Sequence, residues 1–159
     1  MNAKDWIQQL DLTPHVEGGY YRQVVKSKDL TKNSQGEDRA QYTSIYFLLE
    51  KDNPSNFHRL TSDEIWYYHH GEELTIHTID PQGNYETIRL GPDVSSGAVL
   101  QAVVPKGVIF GSSVESGFAV VSCAVAPGFE YEDFELFSRE ELFGDYPEHA
   151  AIIERLTRE

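Results

Sequence analysis

Short strand-forming runs that recur roughly every ten residues constrain this chain more than any other feature of its sequence. Runs rich in β-branched and aromatic residues alternate with clusters of Gly, Pro and Asn, which are typical of turns. Strands are expected over residues 20–26, 43–49, 56–60, 64–69, 74–79, 85–90, 98–104, 108–113 and 118–126. This spacing predicts an all-β sandwich or barrel. The polar stretch 27–41 is expected to be a mobile surface loop.

Helical patterns occur at the two ends of the sequence. Residues 5–10 place Trp, Ile and Leu along one stripe, which predicts a short amphipathic helix. Ser138 and Glu141 have the capping-box spacing that begins a helix, and residues 147–156 repeat the apolar stripe. We therefore expect residues 1–159 to form a single β domain with short N-terminal and C-terminal helices.

Composition narrows the class of protein. A chain of 159 residues with 40% hydrophobic residues can bury a core without disulfides, and Cys123 is the single cysteine. The sequence contains no apolar run long enough to span a membrane, so we expect a soluble, cytoplasmic protein. The formal net charge of −13 opposes binding to nucleic acids or to anionic membranes.

The stretch from His58 to residue 71 carries the clearest sign of chemistry. Alternate residues of a strand face the same side, so Glu64, Trp66 and Tyr68 should point together. If residues 61–63 form the turn between two paired strands, His58 and Glu64 can point into one barrel. A buried Glu beside a buried His is costly without a metal, an ion pair or a shared proton. The energetic cost of such a pair indicates a functional role for His58 and Glu64.

The spacing in this stretch resembles the first motif of cupins, in which His-x-His is followed by a Glu and then a Gly. His58, Glu64 and Gly71 occupy the positions of the first His, the Glu and the Gly. Leu60 occupies the position of the second His. The retained spacing implies that the barrel geometry is retained, while one metal-ligand position is lost.

A second stretch resembles the other cupin motif, Pro-x-Gly-x-x-His. It begins at residues 105–107 and places Phe110 where the last His would be. Residues 15–22, 56–66 and 126–136 are together similar to one cupin subgroup of small bacterial and fungal proteins, named only as a domain of unknown function. The resemblance implies a cupin-type double-stranded β-helix, or jelly-roll barrel, usually dimeric and related in shape to sugar-nucleotide epimerases.

Metal-dependent cupins hold a divalent metal through three His and one Glu. Here Leu60 and Phe110 replace two of these ligands, and neither side chain can coordinate a metal. We therefore expect no metal and no other cofactor. If a divalent metal is bound, His58 and Glu64 are its ligands, and the alternative function is a metal-dependent oxygenase or lyase.

The metal-free interpretation uses His58 as an acid or base, because imidazole titrates near neutral pH. Glu64 would orient His58 or accept its proton. Tyr68 is predicted to donate a proton from across the pocket. Epimerase-like cupins, which the chain resembles, pair a His with a Tyr in this way. The other Tyr candidates are Tyr20, Tyr21 and Tyr46. The structural alternative is a His58–Glu64 pair that only stabilises the barrel.

Five further residues are predicted to contact a ligand. Glu17 lies in the Gly-Gly turn, and Arg22 could bind a carboxylate or phosphate. Tyr20, Trp66 and Phe110 would form pocket walls, although Phe110 also suits the core. The sequence thus predicts a cupin that binds a small polar organic ligand and forms a homodimer. The leading function is an isomerase or epimerase, and a non-catalytic binding or storage module is the other alternative.

Overall fold

The computed structural model describes residues 1–158. The helices are α1 (Ala3–Gln9), α2 (Arg139–Asp145) and α3 (Ala150–Arg155). The strands are β1 (Thr13–Pro14), β2 (Tyr20–Lys26), β3 (Leu30–Lys32), β4 (Asp38–Ala40), β5 (Thr43–Glu50), β6 (Ser55–Leu60), β7 (Asp63–Gly71), β8 (Leu74–Ile79), β9 (Tyr85–Leu90), β10 (Gln101–Val104), β11 (Ile109–Val114), β12 (Phe118–Ala126) and β13 (Phe134–Leu136). Single 3-10 turns lie at Val94–Ser96, Tyr131–Asp133 and Pro147–His149.

Two antiparallel sheets face each other as a jelly-roll sandwich. The six-stranded sheet has the order β1-β2-β5-β12-β7-β10, and the five-stranded sheet has the order β13-β6-β11-β8-β9. The main hydrophobic core fills the space between them, with Phe47 and Trp66 from one sheet and Leu74 and Phe110 from the other. The predicted all-β jelly roll with short terminal helices is confirmed, and strands β2, β8, β9 and β12 have the predicted bounds.

Short helices cover the outer faces of both sheets. Helix α1 begins at a capping box between Asn2 and Asp5, and its apolar side packs on Leu48 and Val120 of the six-stranded sheet. The predicted capping box of Ser138 and Glu141 begins α2. Helices α2 and α3 bury a second cluster against the five-stranded sheet. The helices therefore pack on the outer face of each sheet. The inner faces of the two sheets form the core and the site.

The stretch 27–41 is ordered, and the prediction of a mobile loop is wrong. Strands β3 and β4 form a small hairpin in which Leu30 pairs with Ala40. Arg39 is buried, and its Nε and Nη2 donate to both carboxylate oxygens of Asp133 at 2.7 and 2.8 Å. This two-point ion pair attaches the hairpin to the segment between β12 and β13. The composition of the stretch is polar, but its central cation is satisfied inside the protein.

No helix within residues 1–158 is long and apolar enough to cross a lipid bilayer.

Candidate functional site

A cavity of about 190 Å³ lies between the two sheets near one end of the sandwich. Most of its wall comes from the inner face of the six-stranded sheet, and the five-stranded sheet contributes the side chains of one strand, β6. Loops before β2 and after β12 complete it. The lining residues are His15, Glu17, Tyr21, Gln23, Thr43, Ile45, Phe47, His58, Leu60, Glu64, Cys123, Val125, Phe129 and Tyr131.

His58 lies on β6 and points into the cavity together with Leu60, as strand alternation requires. Its Nδ1 lies 2.7 Å from the carbonyl oxygen of Asn56. A carbonyl can only accept, so Nδ1 carries the proton, and in the neutral ring Nε2 is free to accept one. Burial lowers the pKa of His58 to about 4, and the hydrogen bond to Asn56 partly opposes that shift. His58 is therefore a neutral imidazole with its basic nitrogen directed at the site.

The carboxyl group beside His58 belongs to Glu17. His58 Nε2 lies 3.4 Å from Glu17 Oε2, and the hydroxyl of Ser55 donates to the same oxygen. Glu17 is held by its own backbone, because the backbone and side-chain amides of Asn56 both donate to its carbonyl. The sequence prediction named Glu64 as the partner of His58. The structure gives that position to Glu17 from the turn before β2.

Glycines make this turn possible. Gly18 has a φ of 113°, and a Cβ at this position would overlap the carbonyl oxygen of Pro54. Gly19 has a φ of 75° and lies against the backbone of β5. Both angles lie in the region that favours glycine. The Gly-Gly pair therefore lets the chain turn tightly against β6 and place Glu17 inside the sandwich.

His15 contacts the other oxygen of the same carboxyl group. Its Nδ1 accepts a hydrogen bond from the backbone N–H of Glu17, so its Nε2 carries the proton. That Nε2 lies 3.4 Å from Glu17 Oε1. Burial lowers the pKa of His15, while the charge of Glu17 opposes the shift. Glu17 thus lies between two imidazoles, one that presents a proton and one that presents a lone pair.

Glu17 and His58 are close enough to exchange one proton. Burial raises the pKa of Glu17, and the nearby His15 and Ser55 oppose that shift. Burial lowers the pKa of His58, so the imidazole stays neutral when the neighbouring carboxyl group is ionised. At 3.4 Å the two atoms are farther apart than in a typical hydrogen bond. Each group can therefore still interact with a ligand.

Glu64 approaches the cavity from β7, on the opposite sheet. Burial raises its pKa to about 8, the charge of Glu17 adds to this shift, and a hydrogen bond with the Cys123 thiol opposes it. Glu64 is therefore protonated at neutral pH and can donate a hydrogen bond. Burial and the neighbouring Glu64 also raise the pKa of Cys123 well above its usual value, so its thiol stays neutral. The cavity thus contains two carboxyl groups in different environments.

Aromatic side chains surround the opening of the cavity. The hydroxyl groups of Tyr21 and Tyr131 lie 3.4 Å apart, and burial with the neighbouring Tyr21 raises the pKa of Tyr131 to about 12. Phe129 packs edge-on against Tyr131, with ring centroids 5.0 Å apart. Tyr131 is half exposed, whereas His58 and Glu64 are buried. The acid–base groups therefore form the floor and the tyrosines form the mouth.

Tyr68 does not line the cavity, although it was the predicted proton donor. It faces inward from β7 like Glu64, but four residues of strand separate the two by roughly 13 Å. Trp66 lies between them, and the Tyr68 hydroxyl donates to the carbonyl of Gly71. The expectation of a common face was right, but the cavity occupies one end of that face.

Tyr20 and Arg22 also lie outside the cavity. Tyr20 packs on the cluster beneath α1, on the outer side of the six-stranded sheet. Arg22 is exposed, and its Nη1 donates to the carbonyl of Leu10 at 2.9 Å. Both residues alternate with Tyr21 on β2, which does line the cavity. The bounds of the strand were predicted correctly. Its inward face carries Tyr21 and Gln23 rather than Tyr20 and Arg22.

Trp66 and Phe110 belong to the core. Both are almost completely buried, and neither lines the cavity. The Phe110 ring lies behind His58, with centroids 4.1 Å apart, and also contacts Trp66 edge-on at 6.4 Å. Phe110 therefore supports the imidazole from the position that a metal-binding His would occupy.

The donor set does not fit the metal centre of metal-dependent cupins. Leu60 and Phe110 present hydrocarbon at two of the four ligand positions. Among residues 1–158 no group of three His, Cys, Asp or Glu side chains is arranged to hold a metal ion. His58 directs its free nitrogen at Glu17.

Sequence reasoning missed several lining residues, including His15, Phe129, Tyr131 and Cys123. A signal was present for His15, because a His two residues before a Glu in a Gly-Gly turn places two ionisable groups in a rigid segment. The stretch that contains Tyr131 alternates acidic and aromatic residues, a pattern typical of an outer strand with its aromatics on the barrel. The structure shows that these aromatics also reach the cavity.

Comparison with known proteins places the chain in a family. The profile of the "Cupin superfamily (DUF985)" matches residues 4–137. An uncharacterized protein of Saccharomyces cerevisiae is 30% identical over 154 residues, covering 86% of this chain and 74% of the relative. A hypothetical protein from Leishmania major is 43% identical with a TM-score of 0.95, and each chain is covered completely. A protein from Shewanella oneidensis is 48% identical with a TM-score of 0.93, covering 99% of this chain and 98% of the other.

A more distant likeness concerns the fold alone. Oxalate decarboxylase from Bacillus subtilis aligns with a TM-score of 0.59 at 15% identity, covering 90% of this chain and 36% of the other. At this level of identity the shared jelly-roll architecture carries no information about the reaction.

Proposed function

Since this chain belongs to the Cupin superfamily (DUF985), we propose that it binds a small polar carbonyl compound and moves a proton on the adjacent carbon without a metal. Such a reaction is of the isomerase or epimerase kind. The observation that carries the proposal is the position of the His58–Glu17 pair and of Glu64 on facing walls of one cavity. Proton transfer next to a carbonyl needs a base at the carbon and a hydrogen-bond donor at the oxygen.

The two sets of groups have distinct roles in this proposal. Glu64, protonated at neutral pH, donates a hydrogen bond to the carbonyl oxygen and stabilises the enolate that develops there. The His58–Glu17 pair takes the proton from the adjacent carbon at Nε2 of His58 and delivers it to the former carbonyl carbon, while Glu64 protonates the carbonyl oxygen and then takes the proton of the neighbouring hydroxyl. The carboxylate of Glu17 stabilises the imidazolium during this step. No electron is transferred, and the proton balance closes at the end of the cycle.

The size of the cavity limits the substrate. A volume of about 190 Å³ is slightly larger than the engineered protein cavity of about 150 Å³ that binds benzene. The enclosed part of the ligand is therefore a monosaccharide or a smaller molecule. A larger group such as a nucleotide would have to extend past Tyr131 into solvent.

Deuterium exchange tests the proposed function. The protein is incubated in D₂O with small aldoses, ketoses and keto acids, and deuterium next to the carbonyl is followed by proton NMR. We expect exchange with at least one compound, lost in His58→Gln and retained in the exposed control His69→Gln. The exchange rate should fall above pH 8 as Glu64 ionises, and this fall should be absent in Glu64→Gln. Binding without exchange would instead support a non-catalytic module.

We also propose that two copies associate as a homodimer. Strand β10 is the edge of the six-stranded sheet, and Val103 on it is 49% exposed, beside exposed Leu100 and Tyr67. Open apolar strand edges are commonly covered by a second chain. Light scattering after gel filtration should give twice the chain mass, reduced to one chain mass by Val103→Lys but not by Val25→Lys. A wild-type mass of one chain would contradict the proposal.

A further inference from the structure

We infer that the ligand of this cavity is a small organic cation, a compound with an ammonium group enclosed by carboxyl and aromatic side chains. The inference rests on the proposed function in taking the same cavity as the site, and it specifies the charge of the ligand. The charges and the aromatic rings of the lining residues support it. The proton on Glu64 gives it a measurable consequence.

The floor of the cavity carries two carboxyl groups and no fixed positive charge. Glu17 and Glu64 are both buried and both line it. None of the fourteen lining residues in the described part of the chain is Lys or Arg. His15 and His58 are neutral at pH 7, because burial lowers the pKa of each. A cation entering this space would meet two carboxyl groups and no like charge.

Lys26 and Arg39, two cationic side chains that do not line the cavity, are paired with carboxylates outside it. Lys26 Nζ lies 3.4 Å from Glu130 at the surface, next to Tyr131 in the chain. Arg39 is bound at two points by Asp133, with Glu37 and Glu132 nearby. An anionic ligand such as a phosphate or carboxylate would therefore lose its hydration without gaining a cationic partner. The electrostatics favour the opposite sign of ligand.

The aromatic residues provide the second feature that a cation needs. Tyr21, Phe47, Phe129 and Tyr131 line the cavity, and the His15 ring lies 4.5 Å from the Tyr21 ring. Faces of aromatic rings attract ammonium groups through their quadrupole, and rings around a buried cation form the cages that recognise methylated ammonium ligands. The carboxyl groups below and the rings above together match a compact alkylammonium ion.

Glu64 gives the inference a measurable consequence. In the free protein Glu64 holds a proton at neutral pH, because burial and the charge of Glu17 raise its pKa to about 8. A bound cation favours the ionised carboxylate, so the proton should leave as the ligand enters. A neutral ligand of the same shape would leave that proton in place.

Choline and its uncharged carbon isostere, dimethylbutanol, test the inference as a matched pair. Titration calorimetry at pH 7 in two buffers of different ionisation enthalpy measures affinity and proton release together. Choline should bind roughly tenfold or more tightly than the isostere, as expected for a desolvated cation–aromatic contact. Its binding should release close to one proton per cavity, and binding of the isostere should release none.

Two carboxyl substitutions separate the site from the overall charge. Glu64→Gln should lower the affinity for choline by roughly tenfold and abolish proton release, with the affinity for the isostere changed by less than about twofold. The control Glu86→Gln removes one negative charge from the exposed face of β9 and should change neither quantity. Far-ultraviolet circular dichroism and thermal unfolding confirm that each variant is folded.

Equal or tighter binding of the isostere, preference for an anion such as inorganic phosphate, or no binding of choline at millimolar concentration would each overturn the inference. These outcomes differ from failure of the proposed function. Proton exchange on a neutral carbonyl compound, without cation preference, would reject the charge of the ligand and keep the reaction. Choline binding by a protein that exchanges no carbonyl proton would do the reverse.

Discussion

Two buried histidines on opposite faces of the five-stranded sheet show what distinguishes a site from a structural network. His77 on β8 lies under the C-terminal helices, and burial together with Arg155 lowers its pKa to about 4. His58 in the cavity has a pKa lowered to about the same value. Both imidazoles are neutral and nearly inaccessible. Their pKa values alone would not tell them apart.

Their partners differ. The two nitrogens of His77 bind the hydroxyls of Tyr85 at 2.7 Å and Ser113 at 2.8 Å, so the ring is fully satisfied. His58 makes one short hydrogen bond, to Asn56, and directs its other nitrogen at a carboxyl group beside an open cavity. A perturbed imidazole therefore indicates function only where one nitrogen remains available next to a proton carrier. Four measurements test whether the two histidines differ in this way.

The largest effect is expected when each imidazole loses its partner. Glu17→Gln removes the proton carrier beside His58, and we expect carbonyl proton exchange to fall by roughly 10²–10⁴-fold, the usual contribution of an acid–base group. Tyr85→Phe removes a partner of His77 and should leave the exchange rate per folded molecule unchanged. NMR of deuterium incorporation measures both rates. Equal losses in the two variants would show that the sites are not distinct.

Removing the imidazoles themselves should affect stability in the opposite order. His77→Leu leaves the Ser113 hydroxyl, which is 1% exposed, without its partner, and should lower the free energy of unfolding by about 2–3 kcal/mol. His58→Leu removes a buried base that serves the site, and should cost about 1 kcal/mol or less. Urea unfolding followed by fluorescence measures both values. A larger loss for His58→Leu would assign His58 a mainly structural role.

Stability should also depend on pH through Glu64. Its pKa is raised from 4.5 to about 8, so the folded protein retains a proton that the unfolded chain loses, and stability falls with rising pH across this window. His58 and His77, with pKa values lowered from 6.5 to about 4, have the opposite effect below pH 6.5. Above pH 6.5 the contribution of Glu64 remains, and Glu17, whose pKa burial also raises, acts in the same direction.

The free energy of unfolding should therefore decrease by about 2 kcal/mol between pH 6.5 and 8. Urea unfolding at several pH values measures this slope. Glu64→Gln should reduce this slope, whereas His77→Gln should leave the slope above pH 6.5 unchanged. An undiminished slope in Glu64→Gln would mean that Glu64 does not titrate in this range.

The smallest effect is expected for a single hydrogen bond of the His77 network. Tyr85→Phe removes one hydroxyl that is partly accessible to water, and should lower the free energy of unfolding by about 1 kcal/mol. Tyr42→Phe, at an exposed tyrosine, is the matched control and should have no measurable effect. A cost above that of His77→Leu would be inconsistent with the proposed network.

Local sequence patterns predicted most of the fold. Strands β2, β8, β9 and β12 have the predicted bounds because turn residues flank apolar, β-branched runs. The hairpin of β3 and β4 was missed because its stretch is polar, and its order depends on Arg39 binding Asp133, which lies 94 positions away. Local patterns contain no information about such a long-range ion pair.

The candidate site was predicted less completely for the same reason. Alternation correctly placed His58 and Glu64 toward the interior. The pairing of Glu17 with His58 depends on how the Gly-Gly turn docks on β6, which spacing along the chain does not specify. The mouth residue Tyr131 arrives from a segment more than a hundred positions after the turn. Strand periodicity assigns a face to a residue, but the topology decides which end of that face is open.

Separate parts of the sequence specify the entrance of the site and its acid–base groups. The reason is that the β3–β4 hairpin is attached to the segment that contains Phe129 and Tyr131. Arg39 fixes this segment from a hairpin that belongs to neither sheet, while His58 and Glu64 are carried by strands of the sandwich. Substitutions in the hairpin can therefore reshape the entrance without disturbing the acid–base groups beneath it. Within one scaffold, the selection of ligands and the chemistry performed on them can evolve along separate stretches of the gene.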